Sequence, residues 1–121
     1  MIIAFILVHI MESTLHYFEQ LDIRTGTIKD ARVFEKARKP AYKLFIDFGA
    51  EIGIKQSSAQ ITHLYQPQDL VGMQVIALVN IPVRQIANFT SECLVLGSVN
   101  PEGSVVLLQP QQAVVNGLKI A

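Results

Sequence analysis

Two short apolar runs, Val75 to Val79 and Glu92 to Leu96, enclose a polar loop, and no other stretch limits the fold as much. Both runs are rich in β-branched residues and short for helices, so they read as buried strands. The loop between them holds Asn80, Pro82, Arg84, Asn88, Ser91 and Glu92, with Arg84 its one cation. A polar loop on a rigid support is where binding residues concentrate. The same composition also suits a long hairpin connection with a solvated Arg and an edge-blocking Pro.

The strand upstream, Met73 to Val79, is apolar on both faces apart from Gln74. One face fills a core and the other needs a second cover, either a partner subunit or a ligand. A chain of 121 residues forms one domain. Half of its residues are hydrophobic and 17% are charged, below the roughly one quarter of an average soluble domain, which points to self-association. Basic and acidic residues balance at ten each, so any nucleic-acid site must be local.

From the start of the chain, Met1 to Ile10 is apolar but lacks a charged leader and a cleavage pattern, so it reads as neither a signal peptide nor a membrane span and no membrane insertion is expected. Met11 is the expected natural start, with residues 1–10 an extension and 11–121 the domain; an added β-strand is the competing reading of the extension. Ser13 or Thr14 is placed to cap a short helix with Leu15, Phe18 and Leu21 on one face, a stripe that needs the barrel or a second subunit. A strand follows from Ile23 to Phe34, with a bulge expected at Gly26. Lys29, Arg32, Lys36, Arg38, Lys39 and Lys43 make the one basic patch, either a solvated loop or a phosphate contact.

Leu44, Ile46 and Phe48 alternate inward, Ile52 to Gln56 reads as a third strand, and Ser57 with Gln60 has capping-box spacing for a short helix to Tyr65. That helix places Ile61 and Leu64 in the core and His63 outside. Pro67 to Gly72 reads as a turn. Beyond Gly97 a turn at Asn100-Pro101-Glu102-Gly103 leads to a strand at Val105 to Leu108, and Asn116-Gly117 suggests a closing hairpin.

No G-x-S-x-G, H-E-x-x-H or G-x-x-x-x-G-K-[ST] motif occurs, and His9, His16 and His63 are scattered. The sequence therefore predicts no enzyme, no cofactor and no metal site. The lone Cys93 lies in an apolar strand and suits a reducing compartment.

Asp22-Ile23-Arg24-Thr25-Gly26 together with Asn80, Arg84, Ile86, Ser91, Glu92 and Leu94 resembles the tRNA-binding-domain family, an OB-fold barrel. Longer runs, Ile46-Asp47-Phe48-Gly49, Glu51 to Thr62 and Val105 to Pro110, are similar to its CsaA-like branch of export-related chaperones. The resemblance implies an all-β, five-stranded OB barrel with a short N-terminal helix, a short helix between strands 3 and 4, and additional C-terminal strands. It also implies a cytoplasmic homodimer, the N-terminal segment sharing in the dimer contact, that binds unfolded or export-destined polypeptide without nucleotide. The alternative is a free-standing tRNA-binding protein.

Where the tRNA-binding members carry several Lys and Arg residues and a glycine in the loop after the central strand, this chain has Pro82, Gln85, Ala87 and Asn88. Lost cations weaken phosphate binding, while Asn88 tolerates the left-handed turn a glycine would make. Ile81, Pro82, Val83, Ile86 and Phe89 are apolar instead. The expected peptide site is therefore Lys55, Ser57, Ser58, Asn80, Arg84, Ile86, Phe89, Ser91 and Glu92, with Lys55 and Arg84 as polar anchors. The RNA alternative uses Lys29, Arg32, Lys36, Arg38, Lys39, Lys43 and Arg84. The apolar loop residues fit a dimer core equally, and Phe89 fits either a groove or the core.

Overall fold

The computed structural model describes residues 2–121. In chain order its elements are α1 (Ile2–Gln20), β1 (Ile23–Val33), β2 (Tyr42–Asp47), β3 (Ile54–Ala59), α2 (Pro67–Leu70), β4 (Gln74–Leu78), β5 (Arg84–Ile86), β6 (Phe89–Ser91), β7 (Leu94–Val95), β8 (Gly97–Val99) and β9 (Val105–Leu107). Five strands pair in the order β3-β2-β1-β4-β7, and β5-β6 and β8-β9 form separate hairpins. All pairings in the five-stranded sheet are antiparallel.

The long first strand makes the barrel curl. Its first half, from Ile23 to Thr27, pairs with β4, and its second half, from Thr27 to Val33, pairs with β2. The register shift falls between Ile28 and Asp30, not at Gly26 as expected. Gly26 has another duty: a Cβ there would lie 2.7 Å from Ile46 Cγ2 and from the Phe48 ring, so the strand crosses the core only because this residue has no side chain. Leu44, Ile46 and Phe48 are buried as their alternation predicts, and they pack with Ile28, Leu70 and Val75. Each such side chain contributes roughly 1.5–3 kcal/mol of burial.

The segment after β2 departs from expectation. Ser57 and Ser58 continue β3, paired with Leu44 and Lys43, and residues 62–64 form only a turn. Capping-box spacing loses here because Ser57 is buried and its Oγ donates to the Cys93 carbonyl at 2.8 Å, a bond that needs an extended strand. The short helix is instead α2, where the Asp69 carboxylate accepts the Gln66 N–H at 3.3 Å. Leu70, fully buried, comes from this helix. Ile61 is buried and His63 exposed, as predicted, whereas Leu64 is exposed.

The expected strand from Glu92 to Leu96 is broken, with only Leu94 and Val95 pairing to β4. The Glu92 N–H donates to the Gln56 carbonyl at 2.8 Å, and the Ser58 N–H reaches Ser91 Oγ at 3.1 Å. These bonds bring β3 against the segment before β7 and nearly close the barrel. Past Ser58 the two strands diverge.

The tail does not form a hairpin of its own. It lies along the part of β1 that β2 leaves uncovered: Thr25 N–H donates to Leu118 O at 3.0 Å, Gly117 N–H to Thr25 O at 2.7 Å and Ile120 N–H to Ile23 O at 2.8 Å. An open strand edge inside the fold offers more hydrogen bonds than a two-strand ribbon would. Gly117 turns at φ +87°, and a Cβ there would stand 2.5 Å from the Phe48 carbonyl oxygen.

The N-terminal helix is 19 residues long, not short, and it runs unbroken through Met11. Residues 2–10 are thus helical and not an added strand. No Gly or Pro interrupts Ile2 to Gln20, so a helix begun at either end propagates. Thr14 Oγ1 donates to the Ile10 carbonyl at 2.9 Å within the helix rather than capping its start. None of its residues is buried, and the Leu15, Phe18 and Leu21 stripe stays exposed. Taken whole, α1 is long and apolar enough to cross a membrane by length and composition, which its first ten residues alone are not. Asn80 ties its end to the barrel, donating to Gln20 O at 2.8 Å and accepting the Asp22 N–H at 2.9 Å.

Candidate functional site

The polar loop that separates the two apolar runs folds into the β5-β6 hairpin, with Arg84 opposite Ser91, Gln85 opposite Thr90 and Ile86 opposite Phe89. Ala87 and Asn88 make the turn. The left-handed residue is Ala87, at φ +50°, not Asn88 as expected. Gln85 holds the turn together, donating through Nε2 to Ala87 O at 3.0 Å and accepting the Thr90 hydroxyl at 2.9 Å.

Alternation across this hairpin decides which way each side chain points. Phe89 turns inward and is 6% exposed, packed with Phe34 and Ala41 in a second core cluster. Its ring meets Phe34 at 5.4 Å and Phe45 at 6.1 Å, both edge-on. Lys43 Nζ sits 5.0 Å from the Phe34 centroid and 5.4 Å from that of Phe89. Of its two readings, Phe89 is therefore core. Arg84, in contrast, is exposed, while Ile86 is half-buried, packed against the same cluster and also lining the surface beside it.

Where β3 and β7 diverge, a groove of about 790 Å³ opens between them. One bank carries Ser58 and Gln60, the other Leu94, Val95 and Val99, and the hairpin supplies Arg84 and Ile86. Lys36, Arg38 and Lys39 reach it from the β1-β2 loop. The lining thus has four cations and no carboxylate, on walls that are otherwise mainly aliphatic. Among the described residues, no aromatic ring lines it.

The fold brings Ser58, Arg84 and Ile86 of the expected peptide site together with Lys36, Arg38 and Lys39 of the expected RNA site. The others lie elsewhere. Lys55 is at the far end of β3, and Lys29 is exposed outside the groove. Arg32 pairs with Asp30 at 2.7 Å and its guanidinium lies 5.5 Å from the Phe45 centroid. Ser57, Ser91 and Glu92 make the barrel closure: Ser57 and Ser91 are buried, and Glu92 Oε1 accepts the Gln56 N–H at 3.1 Å. Asn80 holds α1. These four are bonded within the chain.

Gln60, Leu94, Val95 and Val99 are groove residues that the sequence reading missed. Period-two alternation contained the signal, since an inward Cys93 forces Leu94 outward. Cys93 itself is 1% exposed, and burial pushes its thiol from an ordinary 9.0 up to about 12, against the opposing pull of the Ser57 hydrogen bond. Such a thiol is inert at neutral pH.

A nearly closed five-stranded barrel of this topology, with a cationic and aliphatic groove at its seam, is an OB-type fold built as a binding module. The putative tRNA binding domain family matches residues 23–119. Among solved structures, chaperone CsaA from Bacillus anthracis str. Ames is 53% identical with a TM-score of 0.84, over 88% of this chain and 96% of that one. The CsaA chaperone protein from Picrophilus torridus is 50% identical with a TM-score of 0.83, over 88% and 97% of the two chains. Methionine--tRNA ligase of Methanocaldococcus jannaschii is 32% identical over 88% of this chain, which spans only 16% of that protein. The chain belongs to the tRNA-binding-domain family and, within it, to the CsaA chaperone-like proteins.

Proposed function

We propose that the chain is a molecular chaperone that binds unfolded or export-destined polypeptide without nucleotide, as a cytoplasmic homodimer. The observation that carries the polypeptide reading is the groove wall: aliphatic side chains such as Ile86, Leu94 and Val99 beside four cations, with no aromatic ring. Aliphatic walls accept the side chains of an unfolded segment, whereas bases of single-stranded RNA stack on aromatic rings. Likeness to CsaA chaperones at 53% and 50% identity supports the same reading. The exposed stripe of Leu15 and Phe18 on α1, with Leu21 just past its end, supports the dimer, since a second subunit would cover it. The buried free thiol of Cys93 suits a reducing compartment.

A second reading, a free-standing tRNA-binding protein, draws on one specific observation. Lys36, Arg38, Lys39 and Arg84 line one groove without a carboxylate, so Arg84 does not act alone. The test is direct binding at physiological salt of a labelled, permanently unfolded polypeptide and of bulk tRNA. Leu94→Asp, at an exposed residue of the groove wall, should weaken the polypeptide about tenfold or more by removing apolar contact, and should affect tRNA less. Equal losses for both, or tRNA binding alone, would favour the second reading.

A further inference from the structure

The groove is the open seam of the barrel, and its banks carry unused main-chain groups. On β3, Gln56 and Ser58 turn their main-chain groups away from β2: the Gln56 carbonyl accepts Glu92 N–H at 2.8 Å and the Ser58 N–H donates to Ser91 Oγ at 3.1 Å. Strand alternation then sends the Ser58 carbonyl and both main-chain groups of Gln60 the same way. Among the described residues none of these three has a partner. On the other bank, Leu96 N–H donates to Ile76 O at 2.9 Å toward β4, while the Cys93 carbonyl faces β3 and accepts the Ser57 hydroxyl at 2.8 Å. Val95 has the same parity as Cys93, so its N–H and C=O also face the seam.

We propose that the groove takes a polypeptide as an added strand, paired to Ser58 at the end of β3 and to Gln60 just beyond it, with acidic side chains set against Lys36, Arg38, Lys39 and Arg84. This inference rests on the polypeptide-binding reading above. It adds a mode and a preference: main-chain pairing supplies affinity without sequence demands, and charge selects acidic segments. The aliphatic walls take the alternate side chains. Three carbonyls, of Ser58, Gln60 and Val95, face the same space. A peptide answers them with N–H donors while its own carbonyls meet the Gln60 and Val95 N–H groups, whereas a phosphate backbone offers acceptors alone and leaves the three carbonyls without donors. The edge is short and flanked by Lys39, which limits pairing between copies of the chain.

The probe is a fluorescent decapeptide of alternating Glu and Val, titrated against the full chain by anisotropy at physiological salt. Companion peptides are its Lys/Val counterpart and two versions N-methylated at alternate residues, one in each phase. The peptide should bind, at least one N-methylated phase should lose about tenfold or more, and the Lys/Val peptide should lose more still. Amide exchange at Gln60 and Val95 should slow on binding. If both N-methylated phases bind as well as the parent, strand pairing is overturned while polypeptide binding stands. If the Lys/Val peptide binds equally, the acidic preference is overturned. Displacement of the bound peptide by a ten-nucleotide oligouridylate at lower concentration would give the groove to RNA. If neither these peptides nor a permanently unfolded protein bind, the chaperone reading fails with it.

Discussion

At the scale of single residues, Phe89→Ala separates fold from site. The ring is buried against Phe34 and Phe45, so its loss should cost about 3–5 kcal/mol of stability, read as a lowered denaturant midpoint. Polypeptide affinity per folded molecule should hold. Lost affinity with unchanged stability would return Phe89 to the groove wall. Cys93 makes a pH prediction whose sign follows from its raised thiol pKa. The folded state keeps the proton that the unfolded chain releases above an ordinary 9.0, so the stabilising contribution is intact below that pH and declines toward about 12. Urea midpoints should therefore fall between pH 8 and pH 10.5 more steeply for the native chain than for Cys93→Ala. Equal slopes would show that burial does not hold the thiol protonated.

Elements were legible in the sequence where one periodicity had no rival. Leu44, Ile46 and Phe48 alternate within a short run, and they fill the core as read. Ser57-Ser58-Ala59-Gln60 carried a helix signal that is local, and it lost to a hydrogen bond with Cys93, thirty-six residues away. Local pattern cannot weigh such a partner. Likewise, Asn80 and Ser91 looked like ligand anchors because polar loop residues often are, yet their bonds run to Gln20, Asp22 and Ser58. Arg84 and the Lys36 to Lys39 cluster were each legible as charge, but their meeting in one groove depends on barrel closure. For α1, Asn80→Ala should fray the junction with the barrel, removing two hydrogen bonds worth about 0.5–1.5 kcal/mol each. Faster amide exchange at Leu21 and Asp22, with β1 unaffected, is the expected signature; unchanged exchange would mean that the helix end is held by something else.

For the molecule as a whole, the exposed apolar surface of α1 and the charge of the groove carry separate predictions. Light scattering at low micromolar concentration should give a mass near twice 13.4 kDa, and Phe18→Glu should shift it toward the single chain. A monomeric native protein would contradict the dimer. With four groove cations, any tRNA binding should weaken with salt at a logarithmic slope of about −3 to −4. The most direct measurement of the central claim is a competition at physiological salt, with a labelled unfolded polypeptide prebound and bulk tRNA added. Polypeptide binding as the groove's main activity predicts that tRNA displaces it only in large excess and less well as salt rises. Displacement by nanomolar tRNA would contradict the polypeptide reading and make the chain a tRNA-binding protein first.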